Sequence, residues 1–494
     1  MNTQYKWMLL LLIFGSISCE SDDEVSATKQ EVVITSGTAD FSKYISVGNS
    51  LAAGFTDGAL FMAGQQNSMP NIVAKQMALA GGGDFNQPLM SDNIGGAMIA
   101  GIPVLNPRLY FYSDPNPEPP SESGPRLLGT TPENNTPELP TTEITNIVSG
   151  PFSNLGVPGA KSFHLSVAGY GNIAGLPNLA NPYFVRMASG ATTSVLEDAV
   201  AQNPTFFSLW VGSDDVLGYA LSGGDGTDLI TNKTMFSQSY STLVTKLVSG
   251  GAKGVLLNIP DITSMAHFTT VPYNPIPMDE ATSIAVNQGY TMYNAGLLQA
   301  EGLGAISEEE RKKRTIKFIK GQNAVVIEDE SLTDLSGSGL PSYRHTTDED
   351  LLLLSSSSFI GSVVGGNPLL INGVSVPLED KWVLVPTEQQ EVSIAISAFN
   401  RVIDTTIEQT GLAFVDVNKI FKEISEDGVM FDDFLLQDKL VFGGTYSLDG
   451  VHPTARGYAF LANKTIESIN TTYGSNLPIV KAENYPVFYS PLLR

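Results

Sequence analysis

The chain has 494 residues, 42% of them hydrophobic, and carries 27 Lys and Arg against 51 Asp and Glu, a formal charge of −24. The apolar fraction supports a folded body rather than a long disordered chain, and the acidic balance argues against nucleic acid as a partner, because phosphate-backbone binding needs clustered cations to release counterions. The single cysteine, Cys19, excludes an intrachain disulfide and a Cys-based zinc site, while length alone leaves open several domains or one with large insertions.

At the amino end, Lys6 precedes the apolar run Trp7 to Phe14, small residues follow at Gly15, Ser16 and Ser18, and Cys19 closes the segment before the acidic ESDDE. This is the layout of a secretory signal, too short to span a bilayer comfortably. An ordinary signal peptide ending near a cysteine is the plain alternative. GSISC resembles a bacterial lipoprotein lipobox, with Ser16 where Leu is usual, and SDDE resembles the acidic tag that sends some lipoproteins to the outer face of the outer membrane. The resemblance implies a signal peptide over 1–18, lipidation of Cys19, and a body tethered to the bacterial outer membrane on its periplasmic or cell-surface side. Residues 19–38, acidic and without periodicity, read as a flexible tether.

Beyond the tether, nearly continuous apolar runs predict strands buried on both faces at 44–47, 206–211, 254–258 and 413–417. Helical periodicity predicts helices at 70–80, 235–248, 280–299, 389–410 and 454–470. Alternating strands and helices make the expected class α/β, a parallel sheet covered on both sides with its active edge at the carboxyl ends of the strands. Two stretches break the alternation: the Pro-rich 98–150 and the segment 315–385 with SGSGLPSY and LLLLSSSSFIG read as surface insertions into a body running over 39–477, followed by a tail over 478–494. SEEERKKR at 307–314 reads as a solvated helix start with a capping box from Ser307 to Glu310.

In YISVGNSLAAGF, a buried strand ends at Gly48 and Ser50 follows at a helix start, where N–H groups favour developing negative charge. Ser is also a common helix cap, so this serine needs a base. In YSLDGVHPTARGYAFLAN, Asp449 and His452 stand three apart on a Gly-containing loop. Such a carboxylate can bond Nδ1–H and leave Nε2 free to take a serine proton; a cap with a surface histidine is the plain alternative.

These blocks resemble the GDSL, or SGNH, family of esterases and lipases. GNSL at 48–51 is similar to the first block, with Asn49 for the usual Asp; NLGVPGA at 154–160 to the second; GSDD at 212–215 to the third; DGVHP at 449–453 to the last. The resemblance implies a flavodoxin-like three-layer α/β/α sandwich, the SGNH hydrolase fold, and cofactor-free, metal-free hydrolysis of a small-molecule, lipid or glycan ester through an acyl-serine. It implies Ser50 as nucleophile, His452 as base and then acid, Asp449 orienting it, and an oxyanion hole from the Ser50 and Gly159 N–H groups with a third donor at position 214.

There the sequence departs from the family, because Asp214 replaces the asparagine and an ionised carboxylate only accepts. Losing one donor costs about 2.7 to 4 kcal/mol of transition-state stabilisation. A protonated Asp214, raised by burial beside Asp215, would restore a donor. Two readings follow: a serine esterase, or a lipid-anchored binding protein on the same fold with weakened catalysis. A divalent metal at GSDD is a distant third. GGDGTD at 223–228 reads as a turn, His164, His267 and His345 as surface or packed histidines, and Arg344 with His345 as a weak candidate for reaching substrate.

Overall fold

A computed structural model of the chain describes residues 33–115 and 122–494. The signal segment and Cys19 lie outside the described residues. Residues 34–494 form a compact unit.

Its centre is a five-stranded, all-parallel sheet: β1 (Tyr44–Gly48), β2 (Asn154–Gly156), β3 (Phe206–Trp210), β4 (Lys253–Leu257) and β5 (Ala413–Val415), in the spatial order β2-β1-β3-β4-β5. The reversal of order between β1 and β3 makes a topological switch point, the place where open α/β sheets bind ligands. Register aligns the carboxyl ends, since Gly48 pairs with Gly156 and Trp210, Trp210 with Leu257, and Leu257 with Val415. The loops leaving β1, β2 and β3 therefore start side by side.

Helix α1 (Ser50–Ala53) follows β1, and α2 (Met69–Ala78) packs on one face of the sheet with the last long helix, α9 (Ala455–Tyr473). On the other face α4 (Lys233–Val248) packs against α8 (Pro386–Thr410), and α3 (Asp214–Leu221) leaves the end of β3. Phe206, Phe207, Leu209 and Trp210 are all buried, as a strand covered on both faces requires. The fold is thus a three-layer α/β/α arrangement.

The four predicted strands all lie in this sheet; β2 was not predicted, because its residues, Asn154, Leu155 and Gly156, give no apolar run. Val417 begins a helix instead of ending β5. The predicted helix at 280–299 is two, α5 (Glu280–Gly289) and α6 (Thr291–Gly302), joined at Tyr290, and neither covers the sheet. They belong to the second insertion, whose own core gathers Ile276, Tyr290, Ile316, Phe318, Val326 and Leu352. That insertion's core therefore begins near 276, before the expected 315. Helix α7 (Glu308–Arg314) also departs from expectation: Ser307 Oγ caps it by accepting from Glu310 N–H at 3.1 Å, but the Glu310 carboxylate turns to Thr333, and Arg314 is fully buried. The carboxyl-terminal segment is packed rather than loose. Tyr489 is buried, and buried Arg108 donates to Ser490 O at 2.7 Å.

Candidate active site

At the end of β1, a Cβ on Gly48 would stand 2.2 Å from Trp210 O, so only glycine lets the chain turn this close to β3. Asn49 then caps α1, its Oδ1 accepting from Leu51 N–H at 3.1 Å, and puts Ser50 in the first turn, buried at 5% exposure. Across the edge, Gly156 lacks a Cβ that would stand 2.3 Å from Ala53 N, and Asn154 donates to Ala52 O at 3.0 Å. Helix α1 is thereby seated on the ends of β1 and β2. The N–H groups of Ser50 and Gly159 donate to no protein acceptor; Gly159 has φ +77° and open space where a Cβ would lie.

The DGVHP loop is held from several sides. Asp449 Oδ2 accepts from His452 Nδ1 and from Gly58 N–H, both at 2.9 Å. Its Oδ1 accepts from the N–H groups of His452 and Val451 at 2.9 Å and from Ser447 Oγ at 3.0 Å. Burial opposes charge on Asp449, but the adjacent His452 and these hydrogen bonds outweigh it and hold the carboxyl well below the usual carboxylate range. The ionised Asp449 makes Nδ1 the protonated nitrogen of His452 and leaves Nε2 as an acceptor. The His452 ring rests on Phe55, with ring centroids 4.6 Å apart, and Phe55 N–H donates to Ser50 O at 3.1 Å. Ser50 and His452 thus flank one short segment. They are not hydrogen-bonded to each other, an arrangement common before substrate binds.

The two acids that follow β3 separate completely. Asp215 is fully buried and accepts from Ser162 N–H and Ser162 Oγ, each at 2.8 Å, tying the β3 loop to the one carrying Gly159. Asp214 is partly exposed as a residue, yet its Oδ2 is sealed from solvent and has no hydrogen bond. Burial pushes its carboxyl up to about 7; His452 pulls the other way, Asp215 adds to the rise, and the Asn49 amide and Lys161 lower it. The Asn49 amide faces Asp214 without completing a geometrically good hydrogen bond, since Asn49 Nδ2 is also unpartnered. Gly212 leads into this pair at φ +120°, a conformation that favours glycine, and a Cβ there would stand 2.5 Å from Ile259 Cδ1.

Sequence reasoning missed the brace beneath the histidine loop. Asp57, buried at φ +51°, donates its N–H to Ser447 Oγ at 2.9 Å and accepts from Leu448 N–H at 3.0 Å. Its only signal was the Asp-Gly pair in GFTDG, which reads as an ordinary turn. His267 also belongs here, its Nδ1 lying 3.1 Å from Asp449 O. His164 packs on Tyr170, with centroids 4.9 Å apart, and His345 accepts from Lys317 N–H at 3.1 Å. Arg344 does not reach towards substrate: it is 2% exposed and gives Nη1 and Nη2 to Asp350 at 2.6 and 2.7 Å and Nε to Asp329. A cleft of about 690 Å³, lined by Lys43, Tyr44, Asp84, Ser153 and Gln202, opens at the amino ends of the strands and is remote from these residues.

A serine at the switch point, a carboxylate-bound histidine and two uncommitted N–H groups lie together on a three-layer α/β/α sheet, and these are the groups that nucleophilic acyl transfer requires. No family model, curated protein or solved structure matches the chain.

Proposed function

We propose that the protein is an extracytoplasmic serine ester hydrolase of the SGNH type, acting on a lipid ester, an acylated glycan or a similar small acyl donor. The observation that carries this reading is the 2.9 Å contact of Asp449 with His452 Nδ1, on a loop that closes over the Ser50 turn. Ser50 Oγ attacks the ester carbonyl while His452 Nε2 accepts its proton; the oxyanion is met by the Ser50 and Gly159 N–H groups and by Asp214 when protonated. His452 returns the proton to the leaving alcohol, then takes one from the water that cleaves the acyl-serine. Throughout, ionised Asp449 stabilises the imidazolium. The lipobox resemblance supports attachment to the outer membrane through Cys19; among the described residues no helix is long and apolar enough to cross a membrane.

A fluorophosphonate probe tests the nucleophile without knowledge of the substrate. The wild-type chain is expected to be labelled at Ser50 and to cleave p-nitrophenyl acetate, with both lost in Ser50→Ala. Equal rates in the two proteins would sink the reading. The unpartnered Asp214 Oδ2 favours one second reading, a lipid-anchored binding protein on the same fold; stoichiometric ester binding without turnover in the wild type is its signature.

A further inference from the structure

Away from the candidate active site, Glu330, Asp380 and Glu388 converge, each offering an oxygen within 4.8 Å of the others. Glu330 and Asp380 come from the second insertion and Glu388 from the first turn of α8. Glu388 is 4% exposed; its Oε2 accepts from Val385 N–H at 2.7 Å, but Oε1 is sealed from solvent and has no hydrogen bond. Asp380 Oδ1 is sealed and unpartnered too. The helix start accounts for one Glu388 oxygen and leaves the other with nothing.

None of the ion pairs among the described residues reaches these three carboxylates: Lys381 pairs with Glu379, and Arg344 with Asp329 and Asp350. Burial pushes Glu388 up to about 9 and raises Asp380 as well; repulsion within the cluster adds to both, as does a hydrogen bond from each to Glu330 when one partner is neutral. A shared proton offsets the crowding one pair at a time, whereas a hard cation compensates all three carboxylates at once. The ligand set suits calcium, which takes carboxylate oxygens from the protein in a flexible cage, whereas magnesium usually keeps several waters and binds one or two carboxylates. The neighbouring loop packs closely on the cluster: at Gly224, φ +77°, a Cβ would stand 2.5 Å from Glu388 Oε1, and at Gly223 one would stand 2.2 Å from Asp380 O.

We propose that Glu330, Asp380 and Glu388 bind a divalent cation, calcium by its preference for protein carboxylates, which fastens the second insertion to α8 and to the Gly223–Gly224 loop. That loop follows α3, which begins at Asp214, and runs on to Asp228, whose carboxylate pairs with Lys161 at 2.5 Å beside the Gly159 loop. Occupancy therefore braces the floor of the candidate site, although the cation site stands whether or not the protein hydrolyses esters.

The test is calorimetry and thermal unfolding of the full chain, stripped with chelator and titrated with CaCl2 or MgCl2. Calcium is expected to bind once and raise the melting temperature by several degrees, and magnesium to do so more weakly. Glu388→Gln should weaken calcium binding by at least about tenfold while raising the melting temperature of the stripped protein, because Gln is neutral without taking up a proton on folding. Glu330 is exposed, so Glu330→Gln leaves folding unchanged and should weaken binding on its own. No heat and no shift up to about 10 mM calcium, well above the ~1 mM of weak extracellular sites, would overturn the proposal. So would calcium binding that both variants retain.

Discussion

Asp214 is where this site differs chemically from the family it resembles, and its protonation state governs what Ser50 can achieve. A carboxyl raised from 3.8 to about 7 binds a proton on folding, so the stability it lends is present at low pH and is lost as pH climbs through about 7. The neutral form that donates to an oxyanion disappears over the same interval. Asp214→Asn keeps a donor at every pH, so its turnover of p-nitrophenyl acetate should match wild type in mild acid and exceed it by about tenfold near pH 8, where only ~10% of Asp214 is neutral. The variant should also melt higher at alkaline pH. A fall in turnover would show that the carboxylate has a role of its own. A second residue-scale prediction concerns Ser447, which joins Asp57 N–H to Asp449 Oδ1. Ser447→Ala leaves the Asp57 N–H buried without an acceptor and should cost about 1–3 kcal/mol in urea unfolding. It also removes one of the hydrogen bonds that hold the Asp449 carboxylate in place, so turnover of p-nitrophenyl acetate should fall.

At the scale of the element, the strand ends decide whether the site assembles, and their glycines differ in what they do. Gly48→Ala drives a methyl into the Trp210 carbonyl, a backbone atom that cannot step aside, and should lower stability by more than the about 1–3 kcal/mol typical of overpacking. Gly159→Ala meets open space and bears only the left-handed backbone cost of about 1–2 kcal/mol, while its N–H survives. Urea midpoints of the two variants should therefore separate clearly; equal losses would mean that the edge relaxes around Gly48. Such close approaches are invisible in a one-dimensional pattern, which records a glycine but not what faces it. The four predicted strands were legible because burial on both faces demands an unbroken apolar run. Ser50, Asp449 and His452 were legible because each sits at a sharp local break, a strand end or a Gly-containing turn. Asp57 and Ser447 were not, since their work is a contact between segments some 390 positions apart in the chain.

Across the whole molecule, two apolar cores meet along one short seam. Leu352 and Val383 pair in a two-residue ladder and face the core of the insertion, whereas the next residues along, Leu353 and Leu384, belong to the core around the sheet. Alternation along a strand thus joins the two bodies. Helical periodicity over 280–302 reads the same whichever body it covers, which is why the insertion's start could not be placed from sequence. Inside the insertion, Arg344 holds Asp329 and Asp350, all three buried. Burial opposes charge on Asp329, yet Ser331 and Arg344 keep its pKa below the usual value, so the stability it lends is present above about 4 and lost as pH falls through its folded pKa. Arg344→Met leaves buried Asp350 without a cation and Asp329 with only Lys313 at 3.6 Å, and should cost about 3–5 kcal/mol at neutral pH. If the seam lets the cores open separately, hydrogen exchange in this variant should lose protection over 276–385 while β1, β3 and β4 keep theirs, and labelling of Ser50 should persist. Wild type should show the same regional loss only in acid. Protection falling equally in the sheet would mean that the two cores unfold as one, with the ladder at Leu352 and Val383 transmitting every disturbance of the insertion to the strands that carry the site.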